Sequence, residues 1–188
     1  KIAMAGFSLG GNNSLKYPGE LGEQAAGRIA AAAAISVPCD LATSSRQLAR
    51  PANYFYMRRF LRRLDKKVAA KRPLLPTPPP AALRMKTFHE FDDAFTAPIH
   101  GFAGAADYYA RSSSRPFIPR IRIPTLLINA WNDPFLSPEC FPVEEAQENP
   151  AFTLLTPQNG GHVGFPRWHK SGEYWHESLL TDFLSQHS

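Results

Sequence analysis

The sequence is short of the residues that build covalent or metal-held scaffolds. It has two cysteines, Cys39 and Cys140, in 188 residues. They lie far apart without metal-ligand partners nearby, which excludes a disulfide-stapled mini-domain and a zinc ribbon. We read them as free thiols in a reducing compartment, a disulfide being the less favoured reading. No apolar run approaches the length a membrane-crossing helix needs, and Ala30–Ala34 is too short and too weakly apolar. No secretory signal is visible, as none could be if the natural N-terminus lies before Lys1, and there is no internal repeat. The acids Glu90, Asp92 and Asp93 have no histidine pair at ligand spacing, and His89 alone is not enough, so no metal site is expected. No cofactor motif is found. The net charge of +5 is mild, and much of it falls in one segment.

What is present describes a globular chain long enough for one domain with a real core, 44% hydrophobic and 12% aromatic. Ile2–Ala5 reads as a strand, and residues 12 to about 24 as a helix interrupted near Pro18. Ile29–Val37 reads as a buried strand closed by Pro38. Residues from about 41 to 110 read as helical and irregular, with a breaker at Pro73–Pro80. Thr125–Ala130 and Phe152–Thr156 read as further strands. Tyr174–Leu184 reads as a closing helix with His176, Leu179, Leu180, Phe183 and Leu184 on one broad face. Continuous apolar strands separated by helices argue for an α/β fold, a mostly parallel sheet with helices on both faces.

Chemistry enters at Gly6-Phe7-Ser8-Leu9-Gly10, a G-x-S-x-G pentapeptide between the first strand and the first helix. That context fits a nucleophile elbow, which holds a serine hydroxyl over the end of a sheet. The strained turn requires small neighbours, which Gly6 and Gly10 supply, while Gly11 lets helix and strand approach. The backbone N–H of Leu9, at the helix N-terminus, would be one oxyanion-hole donor. An ordinary Gly-rich turn is the bland alternative. Two later loops weigh against it: Trp131-Asn132-Asp133-Pro134-Phe135 after the third strand, and Asn159-Gly160-Gly161-His162-Val163-Gly164 after the fourth. In a parallel sheet both lie at the same edge as the elbow. The order Ser8, Asp133, His162 then assembles a nucleophile, an orienting acid and a base.

The middle segment has a second pattern. Met57, Phe60, Leu61, Leu64 and Val68 make an apolar helical stripe, and Arg58, Arg59, Arg62, Arg63, Lys66, Lys67, Lys71 and Arg72 fill the other faces. Two readings stand: a solvated amphipathic helix packed on the core, or a basic face that meets anionic lipid or an acidic substrate group. Nucleic-acid binding has no fold or aromatic interleaving behind it, and none is expected. Arg115 is expected to pair with one of Glu90, Asp92 and Asp93, as polar contacts between insertion and core. Cys39 could line a pocket, and Phe135, Phe165, Trp168, Tyr174 and Trp175 could wall one, although core packing is the safer reading for most of them.

At these residues the chain resembles the YheT-like branch of the α/β-hydrolase superfamily. The resemblance runs through Gly6-Phe7-Ser8-Leu9-Gly10-Gly11-Asn12, Ser36-Val37-Pro38-Cys39-Asp40-Leu41 and Thr87-Phe88-His89-Glu90-Phe91-Asp92-Asp93. It continues through Gly101-Phe102, Asp107-Tyr108-Tyr109, Ser112-Ser113-Ser114-Arg115-Pro116, Asn132-Asp133-Pro134-Phe135 and Gly160-Gly161-His162-Val163-Gly164-Phe165. It implies an α/β-hydrolase domain over residues 1–188 with a helical cap insertion at about 41–115. It implies a serine esterase or lipase with Ser8 as nucleophile, Asp133 as acid and His162 as base, acting on small-molecule or lipid esters. No cofactor is implied, and the expected location is cytoplasmic, with peripheral membrane contact through the basic helix. An H-x4-D acyltransferase box is not found: Arg167 follows His162 at five residues, and Thr181 follows His176. A full member has several strands before the elbow, and the loop after one of them supplies the second oxyanion donor. Their absence here implies the C-terminal part of a longer product, with the first strand unpaired on one side. A non-catalytic binding or scaffold module on the same fold is the alternative function.

Overall fold

The computed structural model describes residues 1–71, 73, 85–166, 172 and 174–187. Arg72, Arg167, Trp168, His169 and most of the Pro73–Pro80 breaker lie outside the described residues. The chain divides into two compact units, one formed by Lys1–Asp40 with Ser113–Ser188 and the other by Leu41–Ser112.

The first unit is built on a four-stranded sheet, β1 (Ile2–Phe7), β2 (Ile29–Ile35), β3 (Thr125–Ile128) and β4 (Phe152–Leu155). The strands are all parallel and lie in the order β1-β2-β3-β4. Alternate residues of β2 serve opposite faces, as a pleated strand requires. Ala32 and Ala34 join Leu15, Ile118, Ile121 and Leu127 in one buried cluster. Ala33 and Ile35 join Leu126, Ile128 and Phe165 in another. The first cluster is covered by α1 (Leu9–Leu21), the 3-10 turn Arg115–Arg120 and α7 (Val143–Glu148). The second is covered by α8 (Trp175–His187) through Trp175, Leu179, Leu180, Phe183 and Leu184. Small side chains in β2 let helices approach from both sides. Among the described residues β1 is an edge strand, with Ile2 64% exposed and Phe7 half exposed.

The second unit is helical: α2 (Leu41–Leu48), α3 (Tyr54–Lys71), α4 (Phe88–Phe91), a π-turn Asp92–Thr96, α5 (Ala97–Ile99) and α6 (Ala105–Ser112). Its interior gathers Leu41, Met57, Leu61, Phe91, Phe95, Ala105 and Tyr109. Phe91 stacks on Phe95 at 5.1 Å, and Phe60 meets Phe88 at 5.8 Å. Asp92 is the polar centre of this unit. Its carboxylate accepts the Thr96 hydroxyl at 2.6 Å and the Tyr109 hydroxyl at 2.7 Å. Burial pushes the Asp92 carboxyl above the usual range, and the two hydroxyl donors pull against that shift.

Several boundaries differ from the sequence reading for local reasons. The first helix starts at Leu9 rather than Asn12, because the Asn12 amide already bonds the Ser8 carbonyl. Pro18 does not interrupt it; the helix runs one further turn, and the Gly22 amide closes onto the Pro18 carbonyl. Gly22 then turns away at φ 55°, a left-handed conformation that glycine adopts without strain. β2 ends at Ile35, two residues early, because Ser36 adopts φ 54°. Arg115 does not pair with Glu90, Asp92 or Asp93. Its guanidinium donates to Glu145 at 2.6 Å and to the Glu139 carbonyl at 3.0 Å, both within the first unit. Glu90 and Asp93 instead accept the backbone amides of Lys86 and Ala105, so their bonds, like those of Asp92, run inside the helical unit rather than between insertion and core.

Candidate active site

Ser8 stands between β1 and α1 with φ 52° and ψ −125°, a conformation that costs a non-glycine residue about 1–3 kcal/mol. It persists because both flanks are tied down. The Ser8 amide bonds the Ile35 carbonyl of β2 at 2.8 Å, and the Ser8 carbonyl accepts the Asn12 amide at 3.1 Å. Among the glycines of the elbow, Gly6 and Gly11 are the crowded ones. A Cβ on Gly6 would lie 2.6 Å from the Gly10 carbonyl oxygen and closer still to the Ser14 hydroxyl, and one on Gly11 would strike Val37. Gly10 has open space around it, so the small-neighbour requirement falls on Gly11 and not on Gly10. Leu9 opens α1, and the first amides of a helix have no intrahelical acceptor, so its N–H is free of the helix ladder.

Asp133 follows β3, and His162 lies in the loop that follows β4. The structure brings both to Ser8. The His162 Nε2 is 3.0 Å from the Ser8 Oγ, and its Nδ1 is 2.8 Å from Oδ2 of Asp133. The Asp133 side chain is fully buried, whereas that of His162 keeps 16% exposure. The other carboxylate oxygen of Asp133 accepts the Phe135 amide at 2.9 Å, so the carboxylate is held from both sides. The Phe135 ring packs 4.4 Å from the imidazole.

Two residues that stand in the quoted motifs but have no role assigned from sequence hold the histidine loop. Asn132 accepts the amides of Gly160 and Gly161, each at 2.9 Å. Ser36, buried at the end of β2, accepts the Val163 amide at 3.0 Å. Gly160 leaves room for Phe165 and Ala130, and Gly161 and Val163 take left-handed φ values of 59° and 57°. Asn129, buried behind them, bonds both backbone groups of Val37 and the Cys140 carbonyl, which fixes the chain leaving β2.

An acid, a histidine and an elbow serine in one hydrogen-bonded line at the C-terminal ends of parallel strands is the arrangement the resemblance implies. No family model matches the chain. YheT of Escherichia coli (strain K12) is 34% identical over 97% of the chain, which spans 54% of that protein. The chain belongs to the YheT-like branch of the α/β-hydrolase family. It is also 30% identical to a monoacylglycerol lipase of Saccharomyces cerevisiae over 98% of the chain, and 32% identical to the phospholipase ABHD3 of Mus musculus over 86%. It spans 42% and 39% of those two proteins, so it covers about half the length of its curated relatives or less. In fold it is similar to an esterase of Pyrococcus furiosus, with a TM-score of 0.52 at 18% identity, over 100% of this chain and 53% of that one.

Other candidates in this α/β hydrolase fall into place as structure. Cys39 does not line a pocket; it is buried in the first core cluster, and burial pushes its thiol far above the usual range. Cys140 is likewise buried, unpaired and shifted up. Neither thiol has the thiolate character that a nucleophile or metal ligand requires. Phe165 and Trp175 pack with the second cluster, and Tyr174 is half exposed. Among the described residues no group of three or more histidine, cysteine or acidic side chains is placed to hold a metal ion. Among them, too, no helix is long and apolar enough to cross a membrane.

Proposed function

We propose that the protein is a serine hydrolase of carboxylic esters, with Ser8 as nucleophile, His162 as general base and acid, and Asp133 as the orienting carboxylate. The line of contacts from Asp133 through His162 to Ser8, at 2.8 and 3.0 Å, carries this reading. In the first step His162 Nε2 takes the hydroxyl proton as Ser8 Oγ bonds to the acyl carbon. The negative charge that develops on the carbonyl oxygen is met by the Leu9 N–H at the start of α1. Collapse of the adduct breaks the bond to the alcohol, which leaves with the proton from His162. Water then attacks the acyl-enzyme with His162 as base again, releasing the acid and restoring Ser8. Asp133 holds the Nδ1–H tautomer and stabilises the transient imidazolium.

The substrate class we favour is a small-molecule or lipid ester of short or medium acyl length. The names of the lipase and phospholipase relatives support an acyl ester. The test is labelling with a fluorophosphonate probe, followed by peptide mapping. Ser8 is the expected site, and Ser8→Ala and His162→Ala should each abolish the adduct. Labelling that persists in Ser8→Ala would remove the nucleophile assignment. A protein that takes no label and turns over no p-nitrophenyl ester would leave a non-catalytic binding module as the better reading.

A further inference from the structure

The outward face of α3 carries a pattern that the proposed hydrolase chemistry does not use. Met57 and Leu61 are buried inside the helical unit, and Phe60, Leu64 and Val68 are half-buried beside them, which fixes the helix's orientation within that unit. Phe55, Arg59, Arg62 and Lys66 follow one another at spacings of four, three and four residues, which places them in a single line on the opposite side. Arg58 and Arg63 flank that line, and Lys67 lies beyond it. All six cations are exposed, against one acid on the helix, Asp65. Among the described residues none of the six is held in an ion pair.

The line has an aromatic end. Phe55 is 80% exposed, the most open large apolar side chain among the described residues, and Tyr54 packs edge-on against it at 5.5 Å. Tyr54 and Tyr56 are themselves about half exposed. A merely solvated helix face mixes charges of both signs and has no need of three consecutive aromatic residues at its start. Uncompensated arginines and lysines beside exposed aromatic rings suit a surface that is negatively charged outside and apolar just beneath.

We propose that this face of α3 docks on an anionic phospholipid bilayer, with the cations at the headgroups and Phe55 inserted between them. Charge complementarity selects this occupant. Helix α3 is about 27 Å long, so its cations can reach many headgroups of a flat bilayer at once. The aromatic residues cluster at one end instead of alternating with the cations, which suits insertion into an interface better than stacking on successive bases. Docking here would bring the protein to the layer in which a lipid ester resides. The surface is independent of Ser8, so its test does not depend on the hydrolase reading.

The experiment is co-sedimentation of the protein with large unilamellar vesicles, either phosphatidylcholine alone or phosphatidylcholine mixed with phosphatidylglycerol. Binding is expected to the anionic vesicles and to weaken as salt is raised. Each basic residue at such a surface contributes about fivefold, so Arg59→Gln/Arg62→Gln/Lys66→Gln together should weaken partitioning about a hundredfold. Phe55→Ser should weaken it about tenfold while leaving the salt dependence in place. All four side chains are exposed, so melting temperature and fluorophosphonate labelling should stay at wild-type values. The wild-type comparison between neutral and anionic vesicles tests the proposal without any variant. Equal binding to both vesicle types, binding to neither, or wild-type binding by the triple variant would overturn it. So would an RNA oligonucleotide that binds this face and displaces it from the vesicles.

Discussion

Ser36 lies 127 residues from Val163 in the chain, yet its hydroxyl accepts the Val163 amide next to His162. It does so in a left-handed backbone conformation that a non-glycine residue adopts at a cost of about 1 kcal/mol or more. We expect Ser36→Ala to lower kcat about three- to tenfold with little change in KM, the effect of one lost hydrogen bond on a positioned base. Ser36→Gly relieves the backbone but also lacks the hydroxyl. It should melt above Ser36→Ala and be equally slow, which separates positioning from strain. His176 gives a prediction of another kind. It is 4% exposed, packed among Phe7, Phe165 and Tyr174, and its Nδ1 has no hydrogen-bond partner among the described residues. Burial holds its pKa below the ordinary histidine value, with Glu177 pulling weakly the other way. The unfolded chain therefore takes up this proton more readily than the folded one. Stability is fully present above the unfolded value of about 6.5 and is lost as pH falls below it. Thermal melts between about pH 8 and about pH 5 should show that loss, and His176→Phe should flatten it. The line of contacts through Ser8, His162 and Asp133, on which the proposed chemistry rests, can be anticipated from the sequence because residue type and order carry it. The roles of Ser36 and Asn132 cannot be, because each acts through a backbone amide whose position only the folded loops define. Arg115 was misassigned for a similar reason: several acids suited its charge, and only the fold brings Glu145 to it.

At the scale of elements, the elbow divides its glycines into a crowded set and an open one. Gly6 sits where a Cβ would press on backbone of the following helix, atoms that cannot swing aside. We expect Gly6→Ala to destabilise by about 1–3 kcal/mol, the usual cost of overpacking, and to slow labelling at Ser8 by displacing the strand-to-helix turn. Gly10 lies inside α1 with nothing within 4 Å of its Cβ position. Gly10→Ala should therefore be neutral or stabilise by about 0.5–1 kcal/mol through the ordinary helix preference. A lower melting temperature for Gly10→Ala than for Gly6→Ala would contradict this account of the elbow. The sequence pattern supplied the small residues but could not say which neighbour each one clears. The same limit appears at the element ends. Apolar runs located all four strands, but where β2 stops depends on Ser36 turning left-handed, and no residue type announces that. Helix α1 begins three residues before its sequence-predicted start because the elbow feeds directly into it.

At the scale of the whole molecule, the α/β reading rested on apolar strands alternating with helices, and the parallel order β1-β2-β3-β4 agrees with it. The basic charge that composition reports as a mild +5 is concentrated on one helix of the helical unit, so a bulk value understates the local field on α3. Burial is just as uneven within the sheet. Ala31 to Ile35 of β2 are fully buried and Leu126 to Ile128 of β3 nearly so, with strand neighbours on both sides and a packed cluster on each face. Among the described residues β1 has a partner on one side alone, and Ile2, Ala3, Ala5 and Phe7 are exposed. Amides whose exchange requires global unfolding should therefore concentrate in β2 and β3, while β1 opens by local fraying at lower cost. Hydrogen–deuterium exchange read by mass spectrometry on this 188-residue chain should find Ala31–Ile35 and Leu126–Ile128 the slowest segments. Peptides over Ile2–Phe7 should exchange faster by an order of magnitude or more, even though β1 pairs with β2 in continuous register from Ala3 to Phe7, after a shift between Ile2 and Ala3. Equal protection across β1 and β2 would mean that the edge is covered in solution, and the exposed side chains of β1 would then mark the surface that covers it.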